Sequence, residues 1–361
     1  MSELPSGATI GILGGGQLGR MLAMAAARLG FRSHIYEPTA NPPAGDVAHA
    51  LTTAAYDDQD ALRAFAAAVD VITYEFENVP TAALDLLDSL KPIRPNRRAL
   101  ATAQDRLLEK DFLTSLSIAC APYAPVAKAS DLDGAIAAIG TPAILKTTRL
   151  GYDGKGQWRI DTVRDAEGLR LPDTPTIYEG FVEFEAEFSV ILVRGHDGEI
   201  RYWDSARNAH VGGILSTSTL PAGTAIEAQV GPARALAAKV AQALGYVGVL
   251  TLEFFATREG PVFNEMAPRV HNSGHWTIEG AECSQFENHL RGILGLPLGA
   301  TTPRGHAAML NLVGTMPARE GVLALHGQRQ FLVTQPLEHV KQRERVRQHG
   351  EREIMAAQAE G

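Results

Sequence analysis

The stretch NEMAPRVHNSGHW, from Asn264 to Trp276, brings a carboxylate, amides, an arginine and two histidines directly after the apolar run PVF. An ordinary surface loop would be richer in Ser, Lys and Asp, so this composition indicates a binding site. His271 and His275 have the spacing of a zinc-binding helix face. The Asn-Ser-Gly between them disfavours a helix, however, so what these groups bind depends on the rest of the chain.

Two carboxylates in the preceding hairpin are predicted to share a face. In VLTLEFFATREGPVFNEM, a hairpin centred on the turn would pair Glu253 with Glu265 and Phe255 with Phe263. The Cβ atoms of such a pair lie about 5 Å apart, and two unpaired carboxylates would repel each other and raise a pKa. A divalent cation removes this conflict, and oxygen ligands suit Mg²⁺ with a phosphate-bearing substrate. The alternative is a solvated face, but the neighbouring leucines and phenylalanines favour burial.

A lysine inside an apolar strand and a glycine-rich loop form the next candidate. Lys146 lies in AILKTT, and a lysine in a buried strand requires an anion. The loop GYDGKGQ, Gly151 to Gln157, has enough glycine to close over phosphates. The alternative for Lys146 is a surface position on an edge strand. Glu179 and Glu187 could accept hydrogen bonds from an adenine amino group and from ribose hydroxyls, or be exposed strand acids.

A glycine turn near the N-terminus suggests a nucleotide. Gly14, Gly16 and Gly19 follow a strand and begin a helix, whose N-terminus would favour a phosphate. Glu37, at the end of the next strand, imitates the acid that binds ribose in dinucleotide folds. The pattern alone is compatible with an NAD-dependent oxidoreductase, with another nucleotide or with a purely structural turn. An oxidoreductase leaves Lys146, the flap and the carboxylate hairpin unexplained.

Composition places these motifs in an ordinary globular protein. The chain has 361 residues, is 45% hydrophobic and 20% charged, and carries a net charge of −8, which gives no support for nucleic-acid or anionic-membrane binding. Residues 1 to 9 lack the pattern of a signal peptide, and charged or glycine residues interrupt every long apolar stretch. The 2 cysteines are far apart, as expected for thiols in a reducing cytoplasm.

The secondary-structure pattern predicts an α/β domain followed by an α+β domain. ATIGILGGGQLGRMLAMAAARLGFRSHIYEP is typical of strand, glycine turn, helix and strand, and VITYEFE adds a further strand. A Rossmann-like parallel sheet is therefore expected first. KPIRPNRRAL resembles a linker, and the later runs TIYEGFVEFEAEFSVILVR and EIRYWDSARNAHVGGIL alternate like antiparallel strands.

The order of these motifs resembles the ATP-grasp superfamily, and within it the 5-(carboxyamino)imidazole ribonucleotide synthetase family. The similarity covers roughly residues 8 to 315. It is carried by GGGQLGRM, YEFENVP, QDR, GYDGKGQ, NLVG and above all NEMAPRVHNSGHWTIEGAECSQFENHLRGILGLPLG. The resemblance implies a pre-ATP-grasp domain (1–100), an ATP-grasp domain (101–300, with a lid at roughly 118–183) and a small C-terminal domain (301–361). It also implies a cytoplasmic homodimer that binds neither nucleic acid nor membranes.

The resemblance also implies site residues. Glu253 and Glu265 would bind magnesium, with two Mg²⁺ ions expected. The residues implied to bind ATP are Arg106, Lys146, Gly151, Tyr152, Asp153, Gly154, Lys155, Gly156, Gln157, Glu179, Gly180, Phe181, Val182, Glu187, His210, Asn264 and Glu265. The residues implied to bind 5-aminoimidazole ribonucleotide are Gly16, Gln17, Leu18, Glu75, Asn78, Tyr152 and Lys155.

The same resemblance predicts the role of the opening stretch and a reaction. Arg269, His271 and Asn272 would surround the γ-phosphate and bicarbonate, because a planar guanidinium fits the oxygens of bicarbonate or carboxyphosphate. Bicarbonate would attack the γ-phosphoryl group, and the exocyclic amine of the ribonucleotide would then capture the carboxyl group. Asp153 is the candidate that accepts or orients the amine proton. Biotin is not needed, since the substrate itself is the nucleophile.

The similarity ends in the C-terminal segment. The family's Gly-Lys and Arg-Lys-x-Gly-His patterns, which bind the substrate phosphate, are absent from LALHGQRQFLVTQPLEHVKQRERVRQHGEREIM. A nucleotide-binding homologue with weakened or lost synthetase activity is therefore the alternative function. Alternatively, Lys155 and the turn from Gly14 to Gly19 would bind more of the phosphate. Cations of the tail, such as Lys341 and Arg343, could also contribute, or the tail could be a solvated helix without a role.

Overall fold

A computed structural model describes residues 4–149, 151, 156–313 and 331–335. Three sheets organise these residues: a parallel sheet of four strands, an antiparallel sheet of four strands and a large sheet of eight strands. This arrangement confirms the expected fold class, an α/β first domain followed by an ATP-grasp-like α+β region.

The first sheet is the expected Rossmann-like unit. Its strands run parallel in the order β3-β2-β1-β4, and helices α1, α2 and α3 connect or follow them. The elements are β1 (Thr9–Leu13), α1 (Gln17–Arg28), β2 (Arg32–Tyr36), β3 (Ala50–Thr52), α2 (Gln59–Ala67), β4 (Val71–Tyr74) and α3 (Thr81–Asp88). The carboxyl ends of β1 and β4 lie side by side, so the glycine turn after β1 meets Glu75 after β4.

Two capped helices follow the first domain. Asn96 accepts a hydrogen bond from Ala99 N–H and begins α4 (Arg97–Ala103), and Asp105 accepts from Leu107 N–H and begins α5 (Arg106–Ser115). Both residue types are favoured at this position because they satisfy otherwise unpaired N–H groups. The cap at Asp105 places Arg106 at the first position of α5, where its side chain reaches the later sheets.

The second sheet lies within the segment 118–183 that is expected to be the lid. Its strands are antiparallel in the order β5-β8-β6-β7, with α6 packed against them. The elements are β5 (Tyr123–Val126), α6 (Ala129–Ile139), β6 (Ala143–Thr147), β7 (Gln157–Ile160) and β8 (Thr176–Gly180). Because β6 lies between β8 and β7, Lys146 is on an interior strand, and the edge-strand alternative for it is wrong.

The third sheet is the scaffold of the molecule. The strand order is β14-β13-β9-β11-β12-β15-β16, and β10 pairs with β9 beside this path. The elements are β9 (Ala186–Arg194), β10 (Ile200–Tyr202), β11 (Arg207–Val211), β12 (Ile214–Leu220), α7 (Thr224–Ala243), β13 (Gly248–Thr257), β14 (Gly260–Ala267), α8 (Thr277–Gly280), α9 (Gln285–Leu294), β15 (Ala307–Val313) and β16 (Phe331–Gln335). The described part of the expected C-terminal domain, 301–361, therefore extends this sheet through β15 instead of forming a separate unit.

The first domain and the large sheet share one apolar core. Ile10 and Leu22 of the first domain belong to the same buried cluster as Val249 of β13 and Leu290 of α9. A polar contact crosses this core at His289 of α9. Its Nδ1 accepts a hydrogen bond from Val249 N–H at 3.1 Å, so its Nε2–H donates to Thr73 Oγ1 at 2.9 Å. The two domains are thereby held at a defined position, which the site between them requires.

The buried imidazole of His289 predicts a pH dependence of stability. Burial lowers its pKa to about 3. The unfolded chain binds a proton there below about pH 6.5, but the folded protein does not, so stability falls as pH drops through this window. Since one group contributes at most about 1.4 kcal/mol per pH unit, we expect His289→Gln to reduce the loss between about pH 6 and pH 5 by roughly 1 kcal/mol. Urea unfolding at both pH values measures this difference.

His49→Gln is the matched control, because it makes the same substitution at an exposed histidine of the first domain. We expect this variant to show the wild-type difference between the two pH values. An unchanged difference in His289→Gln would contradict the assignment.

Candidate active site

One cavity of about 310 Å³ lies where the first domain, α5, the lid and the large sheet meet. Cavities at such junctions are the usual place for ligands. Many of the residues expected from sequence line it: Leu18, Asn78, Arg106, Gly151, Gln157, His210, Glu253, Glu265, Arg269, His271 and Asn272.

The carboxylate pair is present and depends on a β-bulge. Between the turn and Phe254, β13 and β14 pair in one register, with Phe254 opposite Phe263. Beyond Phe254 the register shifts by one residue, so that Glu253 is opposite Glu265. The extra residue on β14 is Asn264, so two side chains of β14 face the single Glu253. The prediction of the Glu253–Glu265 pair is confirmed. The predicted partner of Phe255 is wrong, because the bulge pairs Phe255 with Val262.

The two carboxyl groups have opposite electrostatic environments. Burial and the neighbouring Glu265 raise the pKa of Glu253 to about 8. Burial acts on Glu265 in the same direction, but the positive charges of Arg106, Lys146 and His210 outweigh it and lower its pKa. Glu265 is therefore the charged member of the pair without a metal. Two carboxylates form a donor set that suits Mg²⁺, which would offset the repulsion that adds to burial in raising the pKa of Glu253.

Arg106 connects the lid, α5 and the carboxylate pair. Its Nη1 lies 3.4 Å from Glu265 Oε2, and its Nη2 donates to Gly151 O at 3.1 Å. Its backbone N–H donates to Thr148 O at 2.9 Å. Both contacts lie at the N-terminal end of the expected flap, so Arg106 connects the start of this segment to Glu265.

The anion that is expected beside the buried Lys146 is a side chain of the protein. Its Nζ donates to Glu179 Oε2 at 2.8 Å, and Lys110 Nζ lies 3.5 Å from the same oxygen. Burial would raise the pKa of Glu179, but the two lysines and Arg106 lower it, so the carboxylate stays charged. The other oxygen, Oε1, is buried and has no hydrogen-bond partner among the described residues, which leaves it available as an acceptor.

Glu187 and His210 form a close hydrogen-bonded pair on neighbouring strands. Burial lowers the pKa of His210, but the hydrogen bond to Glu187 and the charges of Glu253 and Glu265 raise it to about 9. His210 is therefore a cation at neutral pH, and it brings positive charge to the cavity beside the carboxylate pair.

The glycine turn binds carboxylates of the protein, and the expectation of a phosphate at these donors is wrong. Gly16 N–H and Gly19 N–H donate to the two oxygens of Glu75 at 2.5 and 2.7 Å, and Gly15 N–H donates to Glu37 Oε2 at 2.9 Å. An anion is favourable at a helix N-terminus, and Glu75 supplies it from the end of β4. Gly14 must be glycine, since its φ is +101° and a Cβ would lie 2.4 Å from Glu75 Cγ.

Arg269 joins the opening stretch to the first domain. Its Nη2 lies 2.6 Å from Glu77 Oε1, and its Nη1 donates to Val270 O at 3.0 Å. Its Nε and the Oδ1 of Asn272 are buried and lack partners among the described residues. A donor and an acceptor without partners at one cavity indicate a small polar ligand that both donates and accepts hydrogen bonds.

The two histidines of the opening stretch do not converge. His271 Nδ1 lies 2.8 Å from Ser273 Oγ, and its Nε2 lies 3.5 Å from Glu253 Oε1. His275 is buried and stacks on Phe286 with ring centroids 5.5 Å apart. Within the described residues no group of three or more side chains of the His, Cys, Asp or Glu type converges as a metal site would require.

Other predicted residues lie near the cavity or outside the described residues. Gln17 has a buried Oε1 without a partner in the described chain, and the N–H groups of Gly180 and Phe181 donate to Pro122 O and Pro142 O. Gly156 has a φ of +67° and closes the flap on β7. The predictions for Tyr152, Asp153, Gly154 and Lys155, and those for the segments 314–330 and 336–361, fall outside the residues that the structure describes.

Several residues of the site were not predicted from the sequence. Glu109 of α5 is buried, accepts from Met266 N–H at 2.8 Å, and has a pKa that burial raises to about 8. Lys110 beside it is also buried. The sequence RLLEKDFLTS is typical of a solvated helix. Only the burial of Glu109 and Lys110 side by side, which the structure shows, indicates that they belong to the site. The unpredicted polar residues that line the cavity or contact Glu179 are Glu77, Gln104, Glu109, Lys110, Thr148 and Arg149.

Comparisons with known proteins agree with this geometry. A family model of the ribonucleotide synthetase preATP-grasp domain matches residues 7–104, and a model of the ATP-grasp domain matches residues 111–286. The chain is 47% identical over 352 residues to N5-carboxyaminoimidazole ribonucleotide synthase of Brucella melitensis, covering 94% of this chain and 97% of that protein.

Solved structures show the same relationship. N5-carboxyaminoimidazole ribonucleotide synthetase from Thermus thermophilus superposes with a TM-score of 0.83 at 49% identity, covering 88% of this chain and 87% of that one. The Aspergillus clavatus enzyme in complex with ADP and 5-aminoimidazole ribonucleotide superposes with a TM-score of 0.81 at 31% identity, covering 89% and 86%. With these matches along nearly its whole length, the chain belongs to the N5-carboxyaminoimidazole ribonucleotide synthase family.

Proposed function

We propose that the cavity carries out the ATP- and bicarbonate-dependent carboxylation of 5-aminoimidazole ribonucleotide to 5-(carboxyamino)imidazole ribonucleotide, a step of purine biosynthesis. The observation that carries this proposal is the Glu253–Glu265 pair beside Arg106 and Arg269 in one cavity of a chain that belongs to this family. Paired acids with adjacent cations suit phosphoryl transfer, in which catalysis consists of positioning and charge stabilisation.

ATP would lie between the lid and the large sheet. Arg106 and Lys146 bind its phosphates, and the flap from Gly151 to Gln157 covers them. Glu179, with its unpaired Oε1, and the backbone of Gly180 to Val182 bind the adenine, and Glu187 with His210 lies beside the ribose. Burial lowers the pKa of Lys146, and its contact with Glu179 opposes this shift.

Mg²⁺ fits the carboxylate pair, and Glu253, Glu265 and Asn264 would hold it. When bound, Mg²⁺ withdraws charge from the phosphate oxygens during transfer. Arg106 contacts Glu265, so its guanidinium would lie beside the metal ion and would donate to the same phosphate group.

Bicarbonate would bind between Arg269 and Asn272. The unpaired Nε–H of Arg269 donates to one bicarbonate oxygen, and Asn272 Oδ1 accepts from the bicarbonate hydroxyl. The contact of Arg269 with Glu77 holds the guanidinium plane against the first domain, on the side where the ribonucleotide is expected. In this arrangement bicarbonate would bind between the two other substrates.

The ribonucleotide would bind at the glycine turn, where Gly16, Gln17, Leu18, Glu75 and Asn78 lie, with Tyr152 and Lys155 from the flap. Because Glu75 already occupies the donors of Gly16 and Gly19, the turn cannot offer them to the substrate phosphate. The buried Gln17 Oε1 has no partner in the described residues and can accept from an amine or hydroxyl. Glu75 would therefore line this subsite as a hydrogen-bond acceptor that the glycine turn holds in place.

Two bond-forming steps complete the reaction. A bicarbonate oxygen attacks the γ-phosphorus of ATP, the bond to the β-phosphate oxygen breaks, and ADP leaves with carboxyphosphate as the product. The exocyclic amine then forms a bond to the carboxyl carbon, inorganic phosphate leaves, and Asp153 accepts or orients the amine proton. The buried position of the cavity below the lid limits hydrolysis of carboxyphosphate, and no biotin is required.

An oxidoreductase activity has no support at the glycine turn. Glu37 accepts from Gly15 N–H and from Thr39 N–H at 2.9 Å each, so the acid that would bind an NAD ribose is engaged within the protein. A homologue with weakened activity is the remaining alternative, motivated by the C-terminal sequence.

No helix in the described residues is long and apolar enough to cross a membrane. A cytoplasmic homodimer remains part of the proposal, and light scattering of the purified protein tests the dimer.

The function is tested by phosphate release from ATP and by fixation of labelled bicarbonate. We expect stoichiometric phosphate release and labelled ribonucleotide only when ATP, Mg²⁺, bicarbonate and 5-aminoimidazole ribonucleotide are all present. Phosphate release that the ribonucleotide does not stimulate, with no labelled product, would contradict the synthetase function and favour the weakened homologue.

Glu265→Gln is expected to remove Mg²⁺-dependent ATP turnover while the fold remains. The variant loses the charged member of the carboxylate pair, and a metal contribution of several kcal/mol corresponds to a loss of about a hundredfold or more in kcat. Phosphate release at saturating Mg²⁺ and thermal unfolding measure the two effects. Glu259→Gln, at the exposed turn of the same hairpin, is the control and should keep wild-type turnover.

Arg269→Lys is expected to weaken the use of bicarbonate. The ammonium group keeps the charge but loses the Nε–H donor and the planar fork, and a hydrogen bond to a charged group contributes about 1.5–3 kcal/mol, or roughly tenfold to a hundredfold in kcat/KM for bicarbonate. The KM for ATP should stay within about twofold. Arg258→Lys, an exposed arginine near Glu185, is the control. An equal rise in both KM values would instead indicate general distortion of the site.

A further inference from the structure

A buried carboxylate of the lid is held by two lysines that come from different parts of the chain. Glu179 of β8 and Lys146 of β6 lie diagonally across two paired strands, since Ile144 is the residue directly opposite Glu179. Lys146 Nζ contacts Glu179 Oε2 at 2.8 Å, and Lys110 Nζ of α5 lies 3.5 Å from the same oxygen. One oxygen of this carboxylate therefore faces two cations.

The strand pattern explains why α5 can reach this carboxylate. Leu145 and Tyr178, which are next to Lys146 and Glu179 in their strands, pack with α6 in one apolar cluster. Because neighbouring residues of a strand point to opposite faces, Lys146 and Glu179 lie on the face away from α6. The contact of Lys110 with Glu179 places α5 at this second face.

Helix α5 is itself held by the large sheet. The carboxylate of Glu109 accepts a hydrogen bond from Met266 N–H of β14 at 2.8 Å. Lys110 is the next residue of the helix and is only 1% exposed. Lys110 is therefore anchored beside the large sheet, whereas Lys146 belongs to the lid.

The other oxygen of Glu179, Oε1, is the part of this carboxylate that remains for a ligand. It is buried and has no hydrogen-bond partner among the described residues. Burial would raise the pKa of Glu179, but the two lysines and Arg106 lower it, so the group is an anion that can only accept hydrogen bonds. A buried acceptor without a donor is costly, and an N–H group of a ligand removes this cost.

We infer that Lys110 is a positioning residue that gives the nucleotide site its preference for adenine, by holding Glu179 Oε2 so that Oε1 accepts from the exocyclic amine of the base. The inference rests on the proposed binding of ATP at the lid. The phosphates compete with Glu179 for the N–H groups of Lys146, whereas Lys110 keeps its contact with the carboxylate. A base with a carbonyl oxygen in place of the amine, such as hypoxanthine, brings a second acceptor to Oε1 and binds more weakly.

Equilibrium binding of ADP and of inosine diphosphate, measured by calorimetry with Mg²⁺, tests this role without relying on turnover. Inosine diphosphate has a carbonyl oxygen where ADP has the amine. We expect the wild type to bind ADP at least about tenfold more tightly, as for a hydrogen bond to a charged group. Lys110→Met should reduce this preference to about threefold or less, mainly through weaker binding of ADP.

Lys239→Met is the matched control, because it removes a lysine that donates to Leu116 O at the C-terminal end of the same helix. This variant should keep the wild-type preference. A double-mutant cycle shows whether Lys110 acts through the carboxylate. In the Glu179→Gln background, Lys110→Met should change the ratio of the two affinities by less than about twofold.

A wild type without preference for ADP, or a Lys110→Met variant that keeps the full preference, would overturn the inference. So would an equal effect of Lys110→Met with and without Glu179, since the lysine would then act by another route. ADP binding with the expected preferences but without carboxylation of 5-aminoimidazole ribonucleotide would instead refute the proposed function alone.

Thermal unfolding shows whether Lys110→Met folds, since removal of one partner of a buried ion pair is destabilising. If it does not fold, a crystal structure of the wild type with ADP decides. Lys110 Nζ within about 3.2 Å of Glu179 Oε2, with Oε1 at a similar distance from the adenine amine, supports the inference. A Lys110 side chain turned away from Glu179, or an amine that Oε1 does not contact, overturns it.

Discussion

The repulsion between Glu253 and Glu265 is the interaction on which the rest of the site depends. A single extra residue in β14 places both carboxylates across one pair of strands, at the edge of a buried cavity. In such surroundings two adjacent negative charges are costly, so the fold gathers cations around them. Arg106, at the start of α5, contacts Glu265, and the cationic His210 lies beside the carboxylate pair.

The position of the first domain is the second constraint, because it completes the cavity. Arg269 follows β14 and is held by Glu77 of the first domain, while Glu75 of the same segment occupies the helix N-terminus at the glycine turn. The Arg269–Glu77 contact crosses between the two domains, which share a core around α9 and are linked by the neutral imidazole of His289. Docking of the domains therefore brings Arg269 to Glu77 at the edge of the cavity.

Much of the fold and part of the site could be predicted from local sequence patterns. The strand–turn–helix unit at the N-terminus, the buried strand of Lys146 and the Glu253–Glu265 pair follow from periods of hydrophobicity and from hairpin geometry. The register near Phe255 could not be predicted, because a β-bulge changes the pairing at little local cost and leaves no periodic signal. The burial of Glu109 could not be predicted either, because a single acid on a helix is usually exposed and its burial depends on a strand that is remote in the sequence.

The sequence by itself therefore determined the family, the element types and the residue types of the chemistry. Only the tertiary structure decided which charged side chain contacts which partner. The anion of Lys146 is Glu179, from another strand of the lid, and the anion at the glycine turn is Glu75, from another strand of the first sheet. The physical reason is that hydrophobic periodicity specifies which face is buried, whereas electrostatic partners are chosen by distances between segments that are remote in the chain.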